Sequence, residues 1–288
     1  MVTLCTAALM ALASPPDSSA FAVYVGGERA TMEAVCDRLP EADVVLLGET
    51  HGDATHHALE AWVLSAAHEW AQADGRALVL GLEMVETDVQ TPLDEYLAGL
   101  TRERDWLAAG RPWSNYETDY RPLVEFARER EVPVVGTNVP GRYASLVARR
   151  GMAVLDSLPE AARAWFPPLP ITPASEALAT AFGEAMSAMG GAHGGAHGGP
   201  SIENMLGAQN LRDATMAWTI ADVLEARPGA LVVHANGSFH SAGGLGIPEH
   251  LARLAPDARV LTVTMRAADD IDAAPEASAD DVVILTQG

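Results

Sequence analysis

Cysteine is scarce. The 288 residues contain only Cys5 and Cys36, which excludes a disulfide framework and a thiolate metal site. No uninterrupted apolar run reaches the roughly 18 residues that a membrane-spanning helix needs. Positive charge is short as well. Eighteen basic residues face 39 acidic ones, a formal charge of −21, and a field of that sign repels nucleic acid and anionic lipid. It attracts cations, although strong net charge more often serves solubility. The N-terminus also lacks basic residues. Leu4 to Ala13 is apolar and ends in Ala11-Leu12-Ala13, a small-residue pattern like a signal-peptidase site, and Ser14-Pro15-Pro16-Asp17 then breaks any helix. Residues 1–20 thus resemble a signal segment truncated at its start, and a periplasmic or envelope location is expected over the cytoplasm. Val2-Thr3-Leu4-Cys5 makes a poor lipoprotein box, because leucine precedes the cysteine and the apolar run follows it.

What is present suits a folded chain: 49% hydrophobic and 20% charged residues, enough for one large domain or two small ones. Four apolar runs read as buried strands, namely Val44 to Leu47, Ala77 to Leu82, Val132 to Val135 and Leu231 to Val233. None alternates strictly, as expected of a parallel sheet covered on both faces. Helical patterns lie among them over Ala54–Ala73, Val89–Leu100, Pro122–Arg130 and Ala208–Ala226. The order predicts an α/β fold with a mostly parallel central sheet flanked by helices. Two further strands, Val260 to Val263 and Val282 to Leu285, bracket an acidic stretch, 267–281, that reads as a solvated loop. The rhythm breaks between Leu158 and Ser201, where five prolines precede a helical run and a Gly/His tip. An inserted helical lid at about 158–205, within a single α/β domain over 21–288, is expected there.

Ligands of open parallel sheets bind at the carboxyl ends of the strands. The first strand delivers Gly48-Glu49-Thr50-His51, the second Glu83, the third Thr137-Asn138, and the fourth His234 and Asn236-Gly237-Ser238-Phe239-His240. Turn chemistry alone accounts for Gly, Asn and Ser at such places, but less readily for repeated Glu and His. Glu49 could complement the helix that follows, and Asn138 could cap the next one. Glu83, directly after an apolar strand, needs a buried partner. Together Glu49, His51, Glu83 and His240 could hold a divalent metal through O and N donors. Without metal, His51 could act as a general base oriented by Glu49 or Glu83. The spacing leaves both open.

Adjacent histidines His56 and His57 cannot face one way on a helix, so one is expected near the cleft and the other in solvent. His68 and His250 fall within helical patterns and are taken as structural. His193 and His197, with Met186 and Met189, form a composition suited to metal or haem iron, equally consistent with a solvated linker. In the long helix, Gln209 and Asp213 lie one turn apart, and Arg212 could pair with a site carboxylate or bind an anion.

The ordered set of motifs resembles the ChaN-like family of the Tiki/TraB/erythromycin-esterase-like superfamily. It comprises Leu46 to His51 with His56-His57, Gly81-Leu82-Glu83-Met84, Trp113 to Pro122, Thr137 to Pro140, Gln209 to Ala217, and Asn236 to His240 leading into Leu245 to Pro248. The similarity runs from about Phe21 to Arg266. It implies a parallel-sheet fold with a helical insertion and, for the ChaN branch, a haem- or iron-linked role in the bacterial envelope. Other branches are ester or amide hydrolases, some metal-dependent. Carried over by position, the resemblance points to Glu49, His51, Glu83 and His240, with Arg212 and Asn138 in support. Tyr143, His56 and the lid histidines His193 and His197 stand as its candidate haem ligands. The implied partners are haem or another small molecule, an envelope surface and a second copy of the chain.

Overall fold

Strand β3, Val44–Glu49, is buried at every position, and its side chains sort by parity. Val45 and Leu47 enter one apolar cluster, while Val44 and Leu46 enter another. A strand with apolar neighbours on both faces has no use for alternation, which explains its continuous apolar run. The first cluster contains residues of helices α2 (Ala54–Asp74) and α5 (Arg121–Glu129). The second contains Met216, Ala217 and Ile220 of α9 (Ile202–Ala226), with Ile247 and Leu251 of α10 (Ile247–Leu254). Each fully buried leucine contributes on the order of 2 kcal/mol to keeping the layers together.

A computed structural model describes Asp17 and residues 19–188, 199–275 and 282–288. The signal-like residues 1–16 and the histidines His193 and His197 lie outside this described part, as do residues 276–281 of the acidic stretch. Among the described residues, one sheet runs in the order β2-β1-β8-β7-β3-β6-β4-β5. Its further members are β1 (Phe21–Val25), β2 (Glu28–Ala30), β4 (Leu78–Glu86), β5 (Val134–Asn138), β6 (Leu231–Gly237), β7 (Val260–Ala268) and β8 (Val282–Gln287). The six strands expected from sequence all form and pair in parallel. The unforeseen hairpin β1–β2 adds an antiparallel edge, with β1 on β8. The α/β architecture therefore stands as the sequence implies.

The helical expectations shift mainly at their ends. The long helix begins at Ile202 because Ser201 caps it, accepting from the Asn204 amide. Asp53 does the same for α2, accepting from Thr55 and His56, so Glu49 is not needed as that helix's acidic complement. Asn138 caps nothing either. The next helix, α6 (Gly141–Arg150), starts after Pro140 without a side-chain cap. The remaining described helices are α1 (Met32–Cys36), α3 (Gln90–Leu97), α4 (Glu103–Gly110), α7 (Glu160–Arg163) and α8 (Glu176–Ala188). Within residues 158–205, α8 lays Phe182 against Phe239, ring centroids 5.9 Å apart.

Register sets the site. Glu49 is level with Gly237 across β3–β6, and Leu82 with Ala235 across β4–β6. Glu83, one residue farther, therefore arrives at the same sheet edge, where an irregularity between Leu82 and Glu86 interrupts the β4–β5 ladder.

Candidate functional site

Two acid–imidazole assemblies meet at this edge. In the first, Glu49 is 1% exposed. Its Oε1 accepts from the Tyr120 hydroxyl at 2.6 Å and faces His51 Nδ1 at 2.6 Å. Burial alone would raise its pKa, but donors from His51, His57 and Tyr120 hold it below the usual carboxylate range. Glu49 in turn raises the pKa of His51 against the opposing effect of burial, and the Glu83 charge adds to it. The His51 side chain is 46% exposed, its ring edge-on to Trp113 at 4.9 Å. Since Nδ1 is committed to Glu49, the neutral ring carries its lone pair on Nε2.

The second assembly encloses His240. Its Nε2 lies 3.1 Å from Glu83 Oε1, and Nδ1 lies 2.5 Å from Asp213 Oδ1 with Gln209 at 2.9 Å. Burial opposes protonation, yet the two carboxylates push His240 up to about 10. Both carboxylates favour the protonated ring. Burial likewise acts to raise Glu83, but His240 and the Gly237 amide, which donates to Oε2 at 2.7 Å, bring it down to about 2.

The two assemblies share Gly237. A Cβ placed there would meet His51 Nε2 at 2.9 Å and Glu83 Oε2 at 3.6 Å. The open edge of His51 and the Glu83 carboxylate thus flank the same bare stretch of backbone.

The proposed residues fare differently. Glu49, His51, Glu83 and His240 do come together, but not as a four-ligand metal cage. Both His240 nitrogens and both Glu83 oxygens have protein partners in this arrangement. Arg212 donates to Asn138 Oδ1 at 3.1 Å and has no carboxylate partner among the described residues. His234 spans Thr137 and Asn236 at 2.8 and 3.0 Å; its burial lowers it to about 4, so it stays neutral.

His56 is fully buried. Its Nδ1 accepts from the Thr50 amide and its Nε2 meets Thr286, which leaves no nitrogen for haem iron. Nor is His57 solvated, because α2 buries residues around much of its circumference. Tyr143 lies on α6, 8% exposed, with its ring 5.7 Å from Phe166 and its hydroxyl accepting from Arg142 at 3.2 Å. His250 bonds Asn210, and His68 packs edge-on to Phe126.

Sequence reasoning passed over four site residues. Tyr120 and Asp119 come from a π-helical turn, Tyr116–Tyr120, a form frequent at functional sites; they sit inside the Trp113 to Pro122 motif. Asp213 had been noted only as a helix neighbour of Gln209. Glu60 is fully buried behind Glu49, with Oε2 3.1 Å from His57 Nδ1. A carboxylate between Leu59 and Ala61, just before Trp62 and Val63, was its available signal.

The family described as haem-binding uptake, Tiki superfamily, ChaN matches residues 35–251. No curated protein matches the sequence. Among solved structures, the chain is similar to ChaN of Campylobacter jejuni, described with cofacial haem binding. The TM-score is 0.69 at 17% identity, covering 94% of this chain and 98% of that one. An erythromycin esterase mutant in its open conformation aligns with a TM-score of 0.49 at 13% identity, covering 82% of this chain and 72% of that one. A protein from Bacillus cereus aligns at 0.46 and 14%, covering 83% and 70% respectively.

Proposed function

We propose, starting from a chain that belongs to the ChaN haem-binding family of the Tiki superfamily, that it binds haem iron through His51 in a role linked to haem or iron uptake at the bacterial envelope. One observation carries the choice of ligand: the His51 side chain is 46% exposed and its Nε2 has no hydrogen-bond partner among the described residues, while Glu49 lies 2.6 Å from its Nδ1. Iron-ligating histidines are typically held this way, the second-shell carboxylate setting the tautomer and raising ring basicity. The residues therefore fit the group. His51 would hold the iron, Glu49 and Tyr120 would hold His51, and bound haem would supply a redox-active iron. Tyr143 is the competing ligand, its hydroxyl already engaged by Arg142 and its ring packed among apolar side chains. Adding haem to the purified protein is expected to shift the Soret band. The shift is lost in His51→Ala and kept in Tyr143→Phe; the reverse pattern overturns the assignment to His51.

A second reading draws on the same nitrogen. An imidazole with a free Nε2 and an acid on Nδ1 is the form a general base takes in ester or amide hydrolysis. Turnover of model esters that disappears in both His51→Ala and Glu49→Ala would support hydrolysis. Turnover indifferent to both would dismiss it.

A further inference from the structure

Behind His51, three acceptor-rich side chains converge without completing their hydrogen bonds. Glu49 Oε2, Glu60 Oε1 and His57 Nε2 are each buried and each lack a hydrogen-bond partner. Their residues are 1%, 0% and 6% exposed. Glu49 Oε2 is ion-paired with His57 Nδ1 at 2.8 Å, and His57 Nε2 with Asp119 Oδ2 at 3.2 Å, contacts not aligned as full hydrogen bonds. A buried polar atom left unpaired costs about 1–3 kcal/mol, more when charged. Unpaired oxygens on two carboxylates that both reach His57 Nδ1 call for an occupant such as a water or an ion.

The geometry points to a divalent first-row metal cation held by Glu49, His57 and Glu60, a site distinct from Nε2 of His51. One donor atom from each residue can be chosen so that all three lie within 4.8 Å of one another. A zinc-type ion binds such donors at about 2.0–2.2 Å, so tetrahedral ligands stand about 3.3–3.6 Å apart. The cluster would contract by about 1 Å at its widest pair on taking up the ion. Two carboxylates and one imidazole suit zinc, manganese or ferrous iron rather than a soft cation. The donors are also well anchored. Glu49 ends β3, while His57 and Glu60 stand one turn apart on α2.

The second oxygen of Glu49 makes the site compatible with what lies in front of it. Oε1 serves Tyr120 and His51, so a cation on Oε2 leaves the dyad intact and fixes its carboxylate more firmly. His57 and Glu60 then hold the ion without touching the haem- or substrate-facing side.

The test uses the full chain, stripped by chelator dialysis and titrated calorimetrically with Zn2+ and with Mn2+, with Co2+ absorption as a coordination probe. One ion per chain is expected, with a rise in melting temperature on loading. Glu60→Gln should weaken the affinity by at least the roughly 10- to 100-fold that follows loss of an outer partner. The same variant should keep the Soret response to haem, and His51→Ala should keep the metal. His57→Asn provides a second variant should Glu60→Gln fail to fold, as judged by circular dichroism. The inference is overturned if none of the three cations binds stoichiometrically, if folded variants bind undiminished, or if His51→Ala loses the ion. A chain that takes metal but no haem sinks the haem reading and leaves this one standing.

Discussion

Protonation of His51 governs whether its outer nitrogen can bind iron. Glu49 raises the His51 pKa, so the neutral ring is lost as pH falls through a value above 6.5. Haem binding should decline on that acid limb. In Glu49→Gln the carboxylate's pull is gone, and the limb should move to lower pH. Soret titrations across pH check this, and an unmoved limb would remove Glu49 from the account. The Glu83–His240 pair makes a different statement. His240, raised to about 10, contributes stability present below its unfolded value near 6.5 and lost as pH rises through about 10. Glu83, lowered to about 2, contributes stability present above about 4.5 and lost as pH falls toward 2. Because each charge is buried, breaking the pair by Glu83→Gln should cost about 3 kcal/mol in chemical denaturation; a loss under about 1 kcal/mol would contradict the burial argument. The sequence showed which residue types gather at the sheet edge. It did not show that Asp213 and Glu60 complete the assemblies: Asp213 meets His240 from 27 positions away, and Glu60 meets His57, which also reaches Glu49.

At the scale of elements, the site exists because β3 and β6 run in register with almost no side chain between their ends. A Cβ at Gly237 would meet mainly the movable, half-exposed ring of His51. Gly237→Ala should therefore weaken haem binding severalfold while leaving stability nearly unchanged. Gly48 is another case. A Cβ there approaches Ser241 Oγ at 2.9 Å and the Ser238 backbone at 3.0 Å, so Gly48→Ala should destabilise by about 1–3 kcal/mol through overpacking. Thermal and denaturant melts of the two variants separate these effects; similar losses in both would refute the distinction. The six parallel strands were legible because each centres on a short, largely apolar run. The β1–β2 hairpin was not, because Phe21–Val25 is a buried edge run beside a largely exposed three-residue partner. Both His56 and His57 are buried because α2 is covered on several sides, a property of layers rather than of helical period.

Over the whole molecule, the charge of −21 sets an ionic-strength signature. Haem carries anionic propionates, so a net negative field slows its approach. Its association rate should rise with added salt as the repulsion is screened, which stopped-flow mixing would read; a falling rate would instead indicate a local positive entry. For a metal cation, the same field predicts the opposite salt dependence. The central claim concerns the outer nitrogen of His51, and chemical rescue tests it most directly. His51→Ala should lose the wild-type haem spectrum, and free imidazole should restore it by taking the vacated ligand position. A His51→Ala protein that binds haem with unchanged affinity and spectrum, before any imidazole is added, would contradict the account.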